Sequence, residues 1–170
     1  MDKETIIIRN AQVDDLPGIT EIYNEAVVNT LATFHLYPRS FDDQKEWFEK
    51  HGEKYPLLIA EKDGSIVAWA SLSPYSDREG YQYTVADSIY VHQRYRQRGI
   101  GYDLLHGLIS EAQVLKYHSI IATIARVNVA SIKLHEKLDF ICRGILPETG
   151  FKFGKWVDIC LYQRILSESK

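Results

Sequence analysis

The sequence predicts a mixed α/β protein: a largely antiparallel sheet with helices packed on both faces. Three observations lead there. Apolar runs and amphipathic segments follow one another as strand, helix, helix, three strands, helix, strand, helix, two strands. Asp63-Gly64 between two apolar runs is a strong hairpin signal. No repeat, low-complexity tract or linker divides the chain, so residues 1–170 read as one domain.

Thr5 to Arg9 reads as a short buried strand. Asp14 or Asp15 caps the helix that follows, with Pro17 in its first turn and Leu16, Ile19, Ile22, Tyr23 and Ala26 at helical spacing. Ser40 caps a second helix, Phe41 to about His51, anchored by Trp47 and Phe48. Leu57 to Glu61 and Ser65 to Leu72 form the hairpin. Its return strand carries Val67, Trp69 and Ser71 on one face and Ile66, Ala68, Ala70 and Leu72 on the other. Tyr81 to Val91 is a long strand and Tyr102 to Lys116 an amphipathic helix. Ser119 to Ala125 is nearly all apolar, hence central in the sheet. Ala130 to Leu138 is a helix, and Phe140 to Leu146 and Val157 to Arg164 close the sheet.

At 170 residues and 45 % hydrophobic content the chain is long enough for a substantial core. Its net charge of −3 argues against a general nucleic-acid binder. Cys142 and Cys160 have neither metal-ligand spacing nor a disulfide framework, so no metal is expected and reduced thiols in a cytoplasmic protein are the default. Met1 to Glu4 has no signal-peptide character, and no apolar run approaches the ~18 residues of a membrane span.

The most informative stretch is Ile89 to Gly101, where an apolar run enters an arginine-rich turn and two glycines open a helix. Strand, basic glycine turn and helix suit a pyrophosphate: helix N-termini offer unpaired N–H groups and a positive dipole end. Glycines let backbone approach an anion closely. Arg94, Arg96 and Arg98 add cationic donors. A P-loop needs Lys-Ser/Thr after its last glycine, and Tyr102-Asp103 stands there. A dinucleotide fingerprint needs a third glycine, and position 104 is leucine.

Arg96-Gln97-Arg98-Gly99-Ile100-Gly101 resembles the acyl-CoA pyrophosphate loop of the GNAT N-acetyltransferases, Arg/Gln-x-x-Gly-x-Gly/Ala. Four segments in order resemble one branch, the phosphinothricin acetyltransferase-like enzymes. They are Ile22-Tyr23-Asn24 with Thr33-Phe34 and Trp47; Gly80-Tyr81 through Thr84-Val85 and Ser88 to Val91; Asn128 to Phe140, similar to Asn-x-x-Ser-x-x-Leu-His-Glu-x-Leu-Gly-Phe; and Gly150 to Asp158, similar to Gly-Tyr/Phe-Lys-x-Gly-x-Trp-x-Asp. Two positions depart. The branch's Thr-Val-Glu is Thr84-Val85-Ala86, so the carboxylate usually proposed as general base is missing. Neighbouring Asp87 replaces it only if a bulge re-aims the strand. Asp139 replaces a usual glycine, at a helix end where Asp tolerates positive φ.

The resemblance implies a GNAT-like fold, its sheet splayed at the cofactor strand, and acetyl transfer from acetyl-CoA, as co-substrate, to a primary amine. By that resemblance Ile89, Tyr90 and Val91 pair with pantetheine, Arg96, Gln97, Arg98, Gly99, Ile100, Gly101 and Tyr102 hold the pyrophosphate, and Asn128 and Ser131 contact the cofactor where the next strand splays away. His135 falls where many of these enzymes place a tyrosine that protonates the CoA sulfur; the other histidines read as solvated or structural. Asp87 is the candidate base, against ordered water or a backbone carbonyl in that role. Thr33, Phe34, Glu79, Gly80 and Tyr81 line the acceptor pocket, with Lys152 and Trp156 near it or in a partner subunit. Arg78 and Lys152 are candidates to face an acceptor carboxylate. The resemblance thus implies a small amino-acid-like acceptor of the phosphinothricin, methionine sulfone or methionine sulfoximine type, and a homodimer joined through residues 151–156. The competing readings are an acetyltransferase acting on protein N-termini or lysines, and a CoA-binding sensor that has lost catalysis.

Overall fold

The computed structural model describes residues 5–166; the Met1–Glu4 start lies outside them. Seven strands form one sheet in the order β1-β2-β3-β4-β5-β7-β6, with four α-helices among the described residues. β1 is Ile7–Asn10, β2 Leu57–Lys62, β3 Ser65–Pro74, β4 Thr84–Val91, β5 Ser119–Ala125, β6 Ile141–Lys152 and β7 Lys155–Ile165. The helices are α1 (Leu16–Asn29), α2 (Phe41–Glu49), α3 (Ile100–Val114) and α4 (Val129–Lys137). α1 and α2 cover one face, where Ile19, Ile22, Tyr23 and Val27 pack on Ile59 and Trp69, with Trp47 and Tyr90 against them. α3 covers the other face with Leu104, Leu105 and Leu108.

Local chemistry explains the boundaries. Ser40 Oγ accepts from Asp43 N–H, and the Asp43 carboxylate returns to Ser40, closing a capping box for α2. Asn24 binds the Arg39 backbone in both directions, its Oδ1 accepting from Arg39 N–H and its Nδ2 donating to Arg39 C=O, each at 2.9 Å. It thereby folds the 30–40 loop back onto α1.

Four expectations need correction. Tyr81 belongs to a 3₁₀ turn, Glu79–Tyr81, and β4 begins at Thr84. β6 runs to Lys152 rather than Leu146; register shifts at Cys142/Gly144 and Leu146/Gly150 absorb Arg143 and residues 147–149, and pairing resumes at Gly150↔Val157. α3 begins at Ile100, because Gly101 packs inside its first turn against Leu134 of α4. A register shift between Ala60 and Glu61 puts Ile66 on the α1 side, against Gly18, and Val67 on the α3 side.

β4 and β5 are the one parallel pair in the sheet, and they share only Thr84↔Ser119, Val85↔Ile120 and Ala86↔Ile121. Beyond Ala86, β4 stays with β3 as far as Val91↔Ala68, while β5 stays with β7 as far as Ala125↔Ile159. The sheet therefore splits into a wedge whose vertex is Ala86.

Candidate active site

The wedge has one hydrogen-bonding wall, and two bonds settle its parity. Tyr75 N–H donates to Thr84 C=O and His92 N–H to Val67 C=O, so even-numbered residues of β4 direct their backbone groups at β3. Odd-numbered residues direct theirs the other way. Tyr83 C=O accordingly accepts from Ser119 N–H on the β5 side. Asp87, Ile89 and Val91 thus face the wedge with their main chain. Tyr90, expected to pair with pantetheine alongside Ile89 and Val91, spends its backbone on Trp69. Its side chain packs under α1, the rings of Trp69 and Tyr23 lying 4.7 and 5.2 Å away.

At the wide end of the wedge the chain turns through Gln97 and Gly99, both at positive φ, into α3. The first bond back into that helix is Asp103 N–H to Gly99 C=O, so the N–H groups of the preceding turn lie outside the helical ladder. A Cβ on Gly101 would stand 3.3 Å from Leu134, so glycine here lets α3 and α4 meet beside the wedge. Arg96 is positioned differently from expectation. Its guanidinium donates to Val91 C=O at 3.0 Å and to Glu25 at 2.9 Å, tying the turn to α1. Arg98 lies over the Tyr95 ring. Across the wedge, Asn128 caps α4 by accepting from Ser131 N–H at 3.2 Å.

Asp87 and His135 meet on the α3 side of the sheet. No register shift interrupts β3–β4, so the bulge that would swing Asp87 onto the face of residue 86 is absent. Its Oδ2 lies 2.8 Å from His135 Nε2, with side-chain exposures of 2 % and 4 %. His135 Nδ1 lies 2.7 Å from Ser131 C=O. A carbonyl only accepts, so Nδ1 carries a proton, and the carboxylate claims a second on Nε2. Burial alone would depress the imidazole pKa; the Asp87 bond and charge and the Ser131 carbonyl outweigh it and hold the pKa above its ordinary value. Asp87 Oδ1 is buried with no hydrogen-bond partner.

On the opposite face the 30–40 loop bridges the wedge. Tyr23 Oη bonds to Thr33 Oγ1 and His35 Nδ1, while Phe34 packs on Gly150 of β6, where a Cβ would overlap its ring. Lys152 is not a pocket cation. It is 2 % exposed, and its ammonium donates to Thr30 C=O at 2.8 Å and Thr33 C=O at 2.7 Å. Burial lowers its pKa. A cation that does reach this face is Arg39, 5.0 Å from the Tyr23 ring. Arg78, Glu79, Gly80 and Tyr81 form an exposed rim between β3 and β4. Trp156 is 62 % exposed and packs tilted against Phe151, its cross-strand partner, on the face of the hairpin opposite the Lys152 side chain.

From sequence neither Arg39 nor the pairing of His51 with Ser73 is singled out. His51 Nε2 lies 3.2 Å from Ser73 Oγ, and its Nδ1 2.8 Å from Trp47 C=O. The signal that pointed there was the missing carboxylate at Ala86, cross-strand partner of Ser73.

A splayed sheet with a free strand edge running into a glycine-opened helix defines an acyl-CoA-binding transferase fold, and residues 18–140 match the model of the acetyltransferase (GNAT) family. The chain belongs to that family. It is 38 % identical over 165 residues to the L-methionine sulfoximine/L-methionine sulfone acetyltransferase of Pseudomonas aeruginosa, covering 96 % of each chain. It superposes with a TM-score of 0.93 on yncA of Salmonella typhimurium with its cofactor acetyl-CoA, at 37 % identity and covering 96 % of this chain and 95 % of that one. A phosphinothricin acetyltransferase of Sinorhizobium meliloti in complex with acetyl-CoA superposes with a TM-score of 0.92 at 36 % identity, covering 96 % and 90 %.

Proposed function

We propose that this protein transfers the acetyl group of acetyl-CoA to the primary amine of a small amino-acid-like acceptor of the methionine sulfone, methionine sulfoximine or phosphinothricin type. The observation that carries the reading is the wedge. It offers a strand edge at Ile89 and Val91 that no neighbouring strand pairs, the Val91 carbonyl being held by Arg96, and ends in the Gln97–Tyr102 turn, chemistry suited to an extended pantetheine arm with a pyrophosphate. Acetyl-CoA supplies the thioester. In this reading the Ile89 N–H, aimed into the wedge beyond the last β4–β5 pair, takes the charge that develops on the acetyl oxygen. Gln97 to Tyr102 hold the pyrophosphate, with Asn128 and Ser131 on the far wall.

The buried Asp87–His135 pair positions β4 against α4 rather than receiving the amine proton, since it lies on the opposite face from Thr33 and Phe34. Thr33 and Phe34 bound the acceptor, the 78–81 rim closes over it, and Arg39 pairs with its carboxylate, the role for which Arg78 and Lys152 are the candidates from sequence. Phe151, Phe153 and Trp156 are half exposed or more at the hairpin that ends edge strand β6. Such an edge invites pairing, which supports a homodimer that brings Trp156 to the partner's acceptor site. No helix among the described residues is long and apolar enough to cross a membrane, and we assign the protein to the cytoplasm.

The test is CoA-thiol release with acetyl-CoA and a panel of amines. Methionine sulfone, methionine sulfoximine and phosphinothricin are expected to turn over. A peptide N-terminus turning over in their place would overturn the acceptor assignment, and thiol silence with acetyl-CoA bound would favour a sensor.

A further inference from the structure

Ala86 leaves the acceptor face of β4 without the carboxylate that the Thr-Val-Glu pattern supplies, yet that face holds a base. Ala86, Ser88 and Tyr90 share one side of the strand, opposite Ser73, Ser71 and Trp69 of β3. A directly opposed pair places the Ser73 Cβ about 5 Å from that of Ala86. From just beyond the end of α2, His51 reaches over this pair, with its Nε2 3.2 Å from Ser73 Oγ. Its Nδ1 lies 2.8 Å from Trp47 C=O and must donate, which leaves the Nε2 lone pair to accept the Ser73 hydroxyl proton. The Trp47 ring, 4.1 Å away, sets the plane of the imidazole. Ala86 is also the last residue of β4 paired to β5, so Ser73 and His51 stand at the vertex of the wedge, on the acceptor side.

We propose that His51, acting through the Ser73 hydroxyl, is the proton acceptor for the attacking amine, in the place of the absent carboxylate. This rests on the acetyltransferase reading above. As the amine nitrogen bonds to the acetyl carbon and the thioester C–S bond breaks, the amine proton passes to Ser73 Oγ and the hydroxyl proton to His51 Nε2. The sulfur leaves with the bonding pair and takes a proton from water. His51 returns its proton to water through the cavity of about 280 Å³ that it borders. The net change is one proton moved from amine to thiol.

The charged groups around His51 are Arg39 from the 30–40 loop and, across that cavity, Glu53 beyond α2 and Glu111 of α3. Burial lowers the His51 pKa and Arg39 lowers it further, against the Trp47 carbonyl that raises it. The net depression keeps the ring neutral and able to accept near neutral pH.

His51→Gln keeps an amide near Ser73 and removes the titrating base. We expect kcat to fall by about 10²-fold or more, KM for acetyl-CoA to hold within about twofold, and the acid limb of the kcat–pH profile to vanish. Ser73→Ala is expected to lower kcat by about tenfold while retaining that limb. Independently of turnover, imidazole nitrogen NMR of the resting protein is expected to show His51 protonated at Nδ1 and bare at Nε2, titrating below the ordinary histidine range. His51→Gln within about threefold of wild type with its acid limb intact, or an Nε2-protonated tautomer, overturns the proposal. If His51→Gln does not fold, the serine variant and the tautomer decide. Wild-type protein that binds acetyl-CoA but acetylates no amine ends the acetyltransferase reading and this one together. Active wild type with an unaffected His51→Gln ends only the role of the histidine.

Discussion

Replacing Asp87 with asparagine removes the carboxylate that keeps a buried imidazole charged. The bond at risk is the 2.8 Å contact between side chains 2 % and 4 % exposed. Breaking a buried pair by removing one partner costs about 3–5 kcal/mol in general, and a charge-assisted hydrogen bond contributes roughly 1.5–3 kcal/mol. Asparagine is isosteric, and its amide can donate to a neutral Nε2, so the lower range applies: about 2 kcal/mol near pH 6. The pH dependence carries the test. In the wild type the folded-state pKa of His135 is raised, so its stabilising contribution is complete below the unfolded pKa and is lost as pH rises through the folded value. In the variant the Asp87 bond and charge are gone and only the Ser131 carbonyl still opposes burial, so the folded pKa falls and less of the charged-imidazole stabilisation remains at low pH. The gap between the two proteins is therefore widest below the ordinary histidine pKa and shrinks as pH rises through the raised folded-state value. Urea unfolding at several pH values measures it, with unchanged m confirming that the folded state is comparable. A gap constant across pH would refute the reasoning. A fall in kcat of about 10²-fold or more at unchanged stability would instead make Asp87 the base.

Further consequences follow from the packing around the wedge. Gly150→Ala displaces the Phe34 ring, and we expect KM for the acceptor amine to rise several-fold while KM for acetyl-CoA stays put, by initial rates. Lys152→Met strands the Thr30 and Thr33 carbonyls and is expected to destabilise by about 2–3 kcal/mol in chemical denaturation. Gly99→Ala forces a Cβ onto φ of 86°, costing roughly 1–2 kcal/mol and weakening acetyl-CoA binding by calorimetry. Trp156→Glu, which places a charge on the exposed apolar hairpin of the proposed homodimer contact, is expected to shift the protein toward monomer in sedimentation velocity.

Much of this molecule was legible because local chemistry and global fold agree. Ser40, Asp63-Gly64 and the Gly99–Gly101 turn each state a backbone requirement that neighbouring residues can read. The errors come from long-range geometry. Pro147 and Gly150 look like a strand's end, but bulges carry β6 through them to Lys152. Lys152 is a surface cation by type, and nothing near it in sequence reveals the Thr30 and Thr33 carbonyls that hold it. Arg96 belongs to an anion-binding pattern, yet Glu25 of α1 claims it. Asp87 is adjacent to the vacant base position, and one residue along a strand is the wrong face. His51 and Ser73 are 22 residues apart, joined only when α2 folds over β3.

The most direct measurement is mass-spectrometric identification of the product formed from acetyl-CoA and L-methionine sulfone, read beside the rate of CoA-thiol release. An N-acetylated amino acid formed in step with free thiol is the expected result. Thiol release without an acetylated amine, or no product from any amino-acid-like acceptor, would contradict it.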